Sequence, residues 1–188
     1  MSSSAPAPFR DQLLAAIPRL RRYARSLVFD AGAADDLVQT ALERALAHWQ
    51  QFDPRRELLV WVIGIAHNAH MDERRRQARS RETTATAFGD DAADAAAHEA
   101  IDRRGAHPGV DVGLRLDLLA ALRRLPEEQR EALLLVSVEQ FTYAECAEAL
   151  GIPAGTVMSR VSRGRAALRA MLEDGAAPAA QPSLRRVV

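Results

Sequence analysis

TYAECAEALGIPAGTVMSRVSRGRAALRAML, residues 142–172, is the stretch whose reading decides the fold. It reads as two short helices around a tight turn. Thr142 can accept a backbone N–H at the start of the first helix, and Glu145, three residues on, completes a capping box. Gly151 stands where a left-handed residue closes a helix without steric cost, and Pro153 prevents continuation. Gly155-Thr156 opens the second helix, with Thr156 as its expected cap. On that helix Val157, Val161 and Leu168 are expected to face inward, and Arg160, Arg163 and Arg165 outward. Residues 154–172 carry four arginines and no acid. An apolar back, a cationic front and a partner helix held by a short turn suit the DNA major groove. The plainer alternative is a helical hairpin with a solvated basic face.

Composition narrows the choice. The chain has 188 residues, 48% of them apolar and only 5% aromatic, and its apolar set is rich in alanine. That favours closely packed helices over a β-sandwich. Its 25 basic residues, all arginine, balance 25 acids, so the whole is not a generally basic nucleic-acid binder. Each basic contact can, however, be bidentate. The single cysteine, Cys146, excludes an intramolecular disulfide, fits a reducing cytosol, and suggests a small buried side chain rather than a redox sensor. The polar N-terminus MSSSAPAPFR is not a signal peptide. No apolar run approaches the roughly 20 residues that span a bilayer. A soluble cytoplasmic protein without membrane insertion is expected.

Helical periodicity fills residues 9–81 and returns over 114–172. Between them lies a segment rich in Ala, Asp, Gly and Thr, and residues 173–188 form a Pro/Ala tail expected to be disordered. From Glu82 to Asp102 there are six acids and no arginine. Such a segment buries too little to offset its ordering entropy, so residues 82–113 read as a flexible linker with at most a transient helix over Ala92–Ile101. In the first zone a helix is expected over Leu13–Leu27, with Pro18 kinking it or marking its start. A second helix over Asp35–Trp49 carries Val38, Ala41, Leu42, Ala45 and Trp49 on its apolar stripe. Asp36, Gln39 and Glu43 fall together on its polar face. After a turn at Asp53-Pro54, a third run from Leu58 to about Arg76 holds Gly64 and Asn68, where a bend is expected. In the second zone, helices are expected over Leu114–Leu125 and Glu127–Val138, the latter with Pro126 and two glutamates at its start.

DDLVQTALERALAHW, FDPRRELLVWVIGIAHNAHMDERRR, and the block from LPEEQREALLLVSVEQF through the hairpin, in that order, resemble the two conserved domains of bacterial sigma factors. The likeness is to the small extracytoplasmic-function (ECF, group 4) members that have these two domains alone. It covers roughly residues 10–81 and 114–172. It implies an all-α chain: a region 2-like bundle over 9–81, the acidic linker, and a region 4-like helix-turn-helix domain over 114–172. The implied function is that of an alternative sigma factor. Such a factor binds core RNA polymerase and directs initiation at stress- or signal-responsive promoters by recognising −35 and −10 elements and assisting melting.

Site residues follow from the resemblance, position by position. Asp36, Gln39 and Glu43 match the face that docks on the clamp helices of the largest polymerase subunit, and the second domain would meet the flap of the second largest. Phe52, Trp61, Ile65, Ala66 and Asn68 match positions around a pocket for an unstacked −10 base, with Arg74, Arg75 and Arg76 tracking phosphate, as Arg79 would. Trp61 also suits a plain core anchor. His67 stands where members often have Arg, which removes one cationic contact. Thr156, Ser159, Arg160, Arg163 and Arg165 match the −35-reading helix, Arg160 foremost, with Met158 in place of the usual Lys. An anti-sigma factor is an expected partner, together with core polymerase and promoter DNA. A linker of about 30 residues extends to roughly 100 Å, enough to let both domains reach elements less than two DNA turns apart. Its acids could also screen the arginine faces of the free protein.

Three other readings compete. A plain helix-turn-helix regulator leaves the second and third helices of the first zone unused. A sigma-like scaffold could bind an anti-sigma factor without directing transcription. An enzyme or metalloprotein would need more than His67, His70, Asp72 and Glu73, whose spacing offers no third ligand. No catalytic residue, metal ligand or cofactor is assigned.

Overall fold

The computed structural model describes residues 5–85 and 112–175, and its regular elements are all helical. The first zone holds α1 (Ala7–Val28), α2 (Ala31–Ala47), a short 3-10 turn (Trp49–Gln51) and α3 (Leu58–Ala85). The second holds α4 (Val112–Arg124), α5 (Glu127–Ser137), α6 (Tyr143–Leu150) and α7 (Ala154–Gly175). The expected linker overlaps the end of α3 and the start of α4, and the expected tail overlaps the end of α7. The rest of both, with the Ala92–Ile101 helix and the screening assigned to the linker acids, lies outside the described residues.

Local chemistry explains most boundaries. α1 begins earlier than expected because Pro6 and Pro8 occupy its start, where a missing N–H costs nothing. Pro18 sits inside it on an exposed face, so water can satisfy the carbonyl of exposed Leu14 that Pro18 leaves without a donor. α2 begins at Ala31 rather than Asp35 because Asp30 caps it, accepting the Ala33 N–H at 2.7 Å. The capping box on α6 is complete: Glu145 N–H donates to Thr142 Oγ1, and Thr142 N–H to Glu145 Oε2. Gly151 ends α6 at φ 64°. Thr156 is not a cap, since α7 begins two residues earlier and Thr156 N–H already bonds the Pro153 carbonyl at 2.9 Å.

α3 departs most from expectation. It runs unbroken through Gly64 and Asn68 for 28 residues. Gly64 marks an approach rather than a bend: a Cβ there would stand 3.2 Å from the Ala149 carbonyl oxygen of α6.

The bundle α1–α2–α3 and the cluster of α5, α6 and α7, with α4 laid on α7, meet along two seams, α1 on α5 and α3 on α6. Leu20, Val62 and Ile63 of the first zone share one contiguous core with Leu135, Val157 and Val161 of the second. The two helical zones are thus packed against each other. Cys146 lies in this core; burial, then Glu131, pushes its thiol up to about 12. At pH 8 it is about one part in ten thousand thiolate. Iodoacetamide is therefore expected to label the folded chain at least about a hundredfold more slowly than the urea-unfolded chain. Equal rates would show an accessible thiol.

No described helix is long and apolar enough to cross a membrane. Among the described residues, no group of three His, Cys, Asp or Glu side chains could hold a metal ion.

Candidate nucleic-acid interface

A cleft of about 580 Å³ opens between the two zones. Trp61, Ile65 and Asn68 of α3 line one wall, and Glu148, Ala149 and Gly151 line the other. The α3 residues face one way because they fall three and four apart on a continuous helix. Behind them, Phe52 and Trp61 pack with Phe9 in a cluster whose ring centroids lie 5.4–6.1 Å apart. Trp61 is therefore a core anchor with one edge on the cleft. Asn68 is exposed at the rim. Ala66, expected beside the pocket, has no exposed surface and belongs to the core beneath it.

The basic run at the far end of α3 is spread around the helix. Arg74 meets Glu127 of α5 at 2.6 Å, Arg76 meets Glu73 at 2.7 Å, and Arg75 is 3.9 Å from Asp72. All three remain more than half exposed, so these pairs leave the guanidinium groups exchangeable. His67 Nδ1 lies 2.8 Å from Glu131 and His70 Nε2 lies 2.7 Å from Glu127, which gives both histidines carboxylate partners across the seam.

On α7, Val157 and Val161 face inward as expected. Arg160 does not project outward: its side chain is 19% exposed and pairs with Glu128 of α5 at 2.6 Å. Gly155, Met158, Ser162, Arg165 and Arg169 make the exposed stripe, spaced three and four apart. Arg163 lies exposed beside it, donating to Ser159 Oγ at 3.2 Å. Tyr143 of α6 joins Met158, Ser162 and Arg165 in a groove of about 300 Å³. Tyr143 and Ser162 were not singled out by the sequence. The three-four spacing could have found Ser162, whereas Tyr143 arrives from the other helix of the hairpin.

Asp36, Gln39 and Glu43 stand together on the exposed face of α2, with Gln39 donating to Glu43 at 2.9 Å. That placement is as the periodicity predicts.

The seam itself holds residues that sequence reasoning missed. Glu139, 2% exposed, accepts from Arg22 Nε at 2.6 Å and Arg19 Nε at 3.0 Å, and its bond raises the Arg22 guanidinium above the ordinary value. Two charge-assisted partners offset the cost of burying that carboxylate. Glu131, 3% exposed, accepts from the Tyr23 hydroxyl and contacts His67. Burial, followed by Glu131, holds the Tyr23 phenol well above its usual range. Arg130 donates to the carbonyls of Leu125 and Leu27 and stacks 4.6 Å from the Phe29 ring; burial lowers its pKa. No periodicity announces these, because Arg19, Arg22, Tyr23 and the Leu27 carbonyl reach them from more than a hundred residues away.

The family model described as sigma-70, region 4 matches residues 115–168, and that of the sigma2 domain of PhyR matches residues 13–67. The chain is 39% identical over 169 residues to the ECF RNA polymerase sigma factor EcfG of Rhodopseudomonas palustris (strain TIE-1), covering 89% of this chain and 87% of that protein. It is 30% identical over 144 residues to SigW of Bacillus subtilis (strain 168), covering 75% and 76%. Among solved structures, the sigma factor RpoE of Bartonella quintana, in complex with the anti-sigma factor NepR, matches with a TM-score of 0.72 at 32% identity. That match covers 89% of this chain and 98% of the other. This chain belongs to the ECF RNA polymerase sigma factors, and its function is that of an alternative sigma factor rather than of a free-standing helix-turn-helix regulator.

Proposed function

We propose a division of labour along the chain, resting above all on the two separated surfaces that α3 and α7 present. In this reading residues 9–81 dock on core polymerase and open the −10 element, and residues 114–172 hold the −35 element. The exposed polar face of α2 (Asp36, Gln39, Glu43) meets the polymerase clamp helices. The α3 wall of Trp61, Ile65 and Asn68 receives an unstacked −10 base, with Asn68 offering both a donor and an acceptor. Arg74, Arg75 and Arg76 hold neighbouring phosphates. Phe52 supports the Trp61 ring, and Ala66 keeps the wall packed from behind.

In the major groove, base edges are met by the first turns of a recognition helix. We assign that role to Met158, Ser159, Ser162 and Arg163, with Thr156 beside them. Arg165 and Arg169, further along, hold phosphate, and Arg160 braces α7 on α5 through Glu128. The apolar Met158 suits a thymine methyl where a lysine would seek an acceptor.

The chain performs no catalysis of its own in this reading, and it works in the bacterial cytoplasm, where polymerase and promoter are found. The likeness to a sigma factor solved with its anti-sigma factor supports a partner of that kind here.

Core-dependent transcription tests the whole. The purified chain added to core polymerase should give transcripts from promoters that core alone ignores. Asp36→Lys with Gln39→Ala should weaken core binding by at least about tenfold, since a like-charge or unpaired contact at such a docking face acts strongly. Core binding unchanged by this pair would remove the α2 assignment.

A further inference from the structure

Three aromatic rings meet behind the wall assigned to the −10 base, and one of them comes from the start of α1. Phe9 packs against Phe52 with ring centroids 5.8 Å apart, and against Trp61 at 6.1 Å, nearly edge-on at 72°. Phe52 and Trp61 lie 5.4 Å apart, tilted by 46°. These are the separations and tilts that aromatic pairs prefer. Phe9 is only 7% exposed and does not line the cleft, so it cannot touch a strand lying there. It is itself well held. Ala5 and Leu13, four residues to either side, are buried too, and the Arg10 N–H closes a helical bond to the Pro6 carbonyl at 3.1 Å.

What Phe9 holds in turn is the segment between the 3-10 turn and α3. Residues 53–57 are all exposed. Their backbone is folded only on itself: Asp53 accepts the Arg55 N–H on its side chain and the Arg56 N–H on its carbonyl, both at 3.0 Å. Phe52, half-buried, is the apolar root of this loop, and Gln51 and Arg56 to either side of it line the cleft. Trp61 lines the cleft from α3. A single buried ring therefore touches both the root of the loop and the aromatic of the wall. Leucine or methionine could fill its volume, but neither has the flat face and edge that orient two neighbouring rings at once.

We propose that Phe9 is a positioning residue for the −10 base pocket: by its contacts with Phe52 and Trp61 it fixes the loop and the ring edge against which an unstacked base lies. The inference rests on the assignment of that wall to a DNA base. A base that leaves the stack gains by lying on an aromatic group. A wall that had to be ordered at that moment would give part of the gain back. The contribution of Phe9 thus falls on the unstacked base and not on phosphate or −35 contacts.

The test uses holoenzyme made from core polymerase and the full chain. The probes are fluorescein-labelled single strands of the −10 region of a promoter that this holoenzyme transcribes, intact or with one nucleotide made abasic, position by position. For the unchanged chain, one position is expected to lose affinity by about fivefold or more when its base is removed. Phe9→Leu and Phe9→Met, apolar but without a ring, are expected to shrink that loss to below about twofold, while affinity for a −35 duplex stays as it was. Phe9→Tyr keeps the ring and is expected to keep the loss. Leu27→Val removes buried volume from the other end of the same helix, about 27 Å away, and is expected to keep it as well. A loss that persists in both ringless variants would overturn the positioning role. So would a loss that Leu27→Val shrinks equally, because Phe9 would then be acting through the stability of α1 alone. An unchanged chain with no position-specific loss would instead sink the base-pocket assignment, and this inference with it.

Discussion

Arg163→Ala lowers holoenzyme affinity for the −35 element by about 5- to 150-fold, the 1–3 kcal/mol of one bidentate arginine–guanine pair. It also relaxes preference at a single position rather than weakening all sequences alike. The expectation rests on where α7 places its side chains: Arg163 is exposed beside the Met158–Ser162 stripe, in the first half of the helix. Arg160 is the contrasting case. Its pair with Glu128 draws it back onto α5, so Arg160→Ala should reduce binding to all −35 sequences by a similar, smaller factor. Met158→Lys should shift preference away from thymine at its position, because an ammonium gains from acceptors and not from a methyl group. Fluorescence anisotropy across a set of single-base promoter variants reads all three. If Arg160→Ala changed the preference at one base and Arg163→Ala did not, the assignment would be reversed.

Glu131→Ala destabilises the folded chain by about 2–4 kcal/mol. The substitution strips the acceptor from a buried Tyr23 hydroxyl, at about 1–3 kcal/mol, and leaves a cavity besides. His67 loses its partner in the same step. Glu131→Gln keeps shape and an acceptor, so it should cost much less. Adding Tyr23→Phe to Glu131→Ala should restore part of the loss, since the orphaned hydroxyl goes with it. Urea unfolding of the full chain measures each value. A loss below about 1 kcal/mol for Glu131→Ala would mean that the buried carboxylate contributes little beyond its own desolvation.

What was legible in the sequence was local. Thr142 and Glu145, Gly151 and Pro126 act on their own backbone neighbours, and the structure has each in its expected role. The polar face of α2 and the inward valines of α7 follow from helical period alone. Gly64 was misread because its reason lies 85 positions away: propensity says break, whereas the oncoming Ala149 carbonyl says make room. Arg160 looked outward because its partner Glu128 lies on another helix. No pattern in REALLLVSVEQF distinguishes a solvated glutamate from Glu131, buried against Tyr23, or from Glu139, sealed under arginines of α1. The family resemblance supplied roles for Asn68 and the α3 arginines that composition could not.

The unbroken course of α3 makes it a ruler. From Asn68 to Arg76 is eight residues, about 12 Å at 1.5 Å each. With no joint between them, Asn68 and Arg76 keep that spacing whatever strand the proposed base pocket receives. A single residue inserted between Asn68 and Arg74 would lengthen the ruler only slightly, yet it would turn the arginine end by about 100°. In the proposed role the helix would thus measure DNA by angle more strictly than by length.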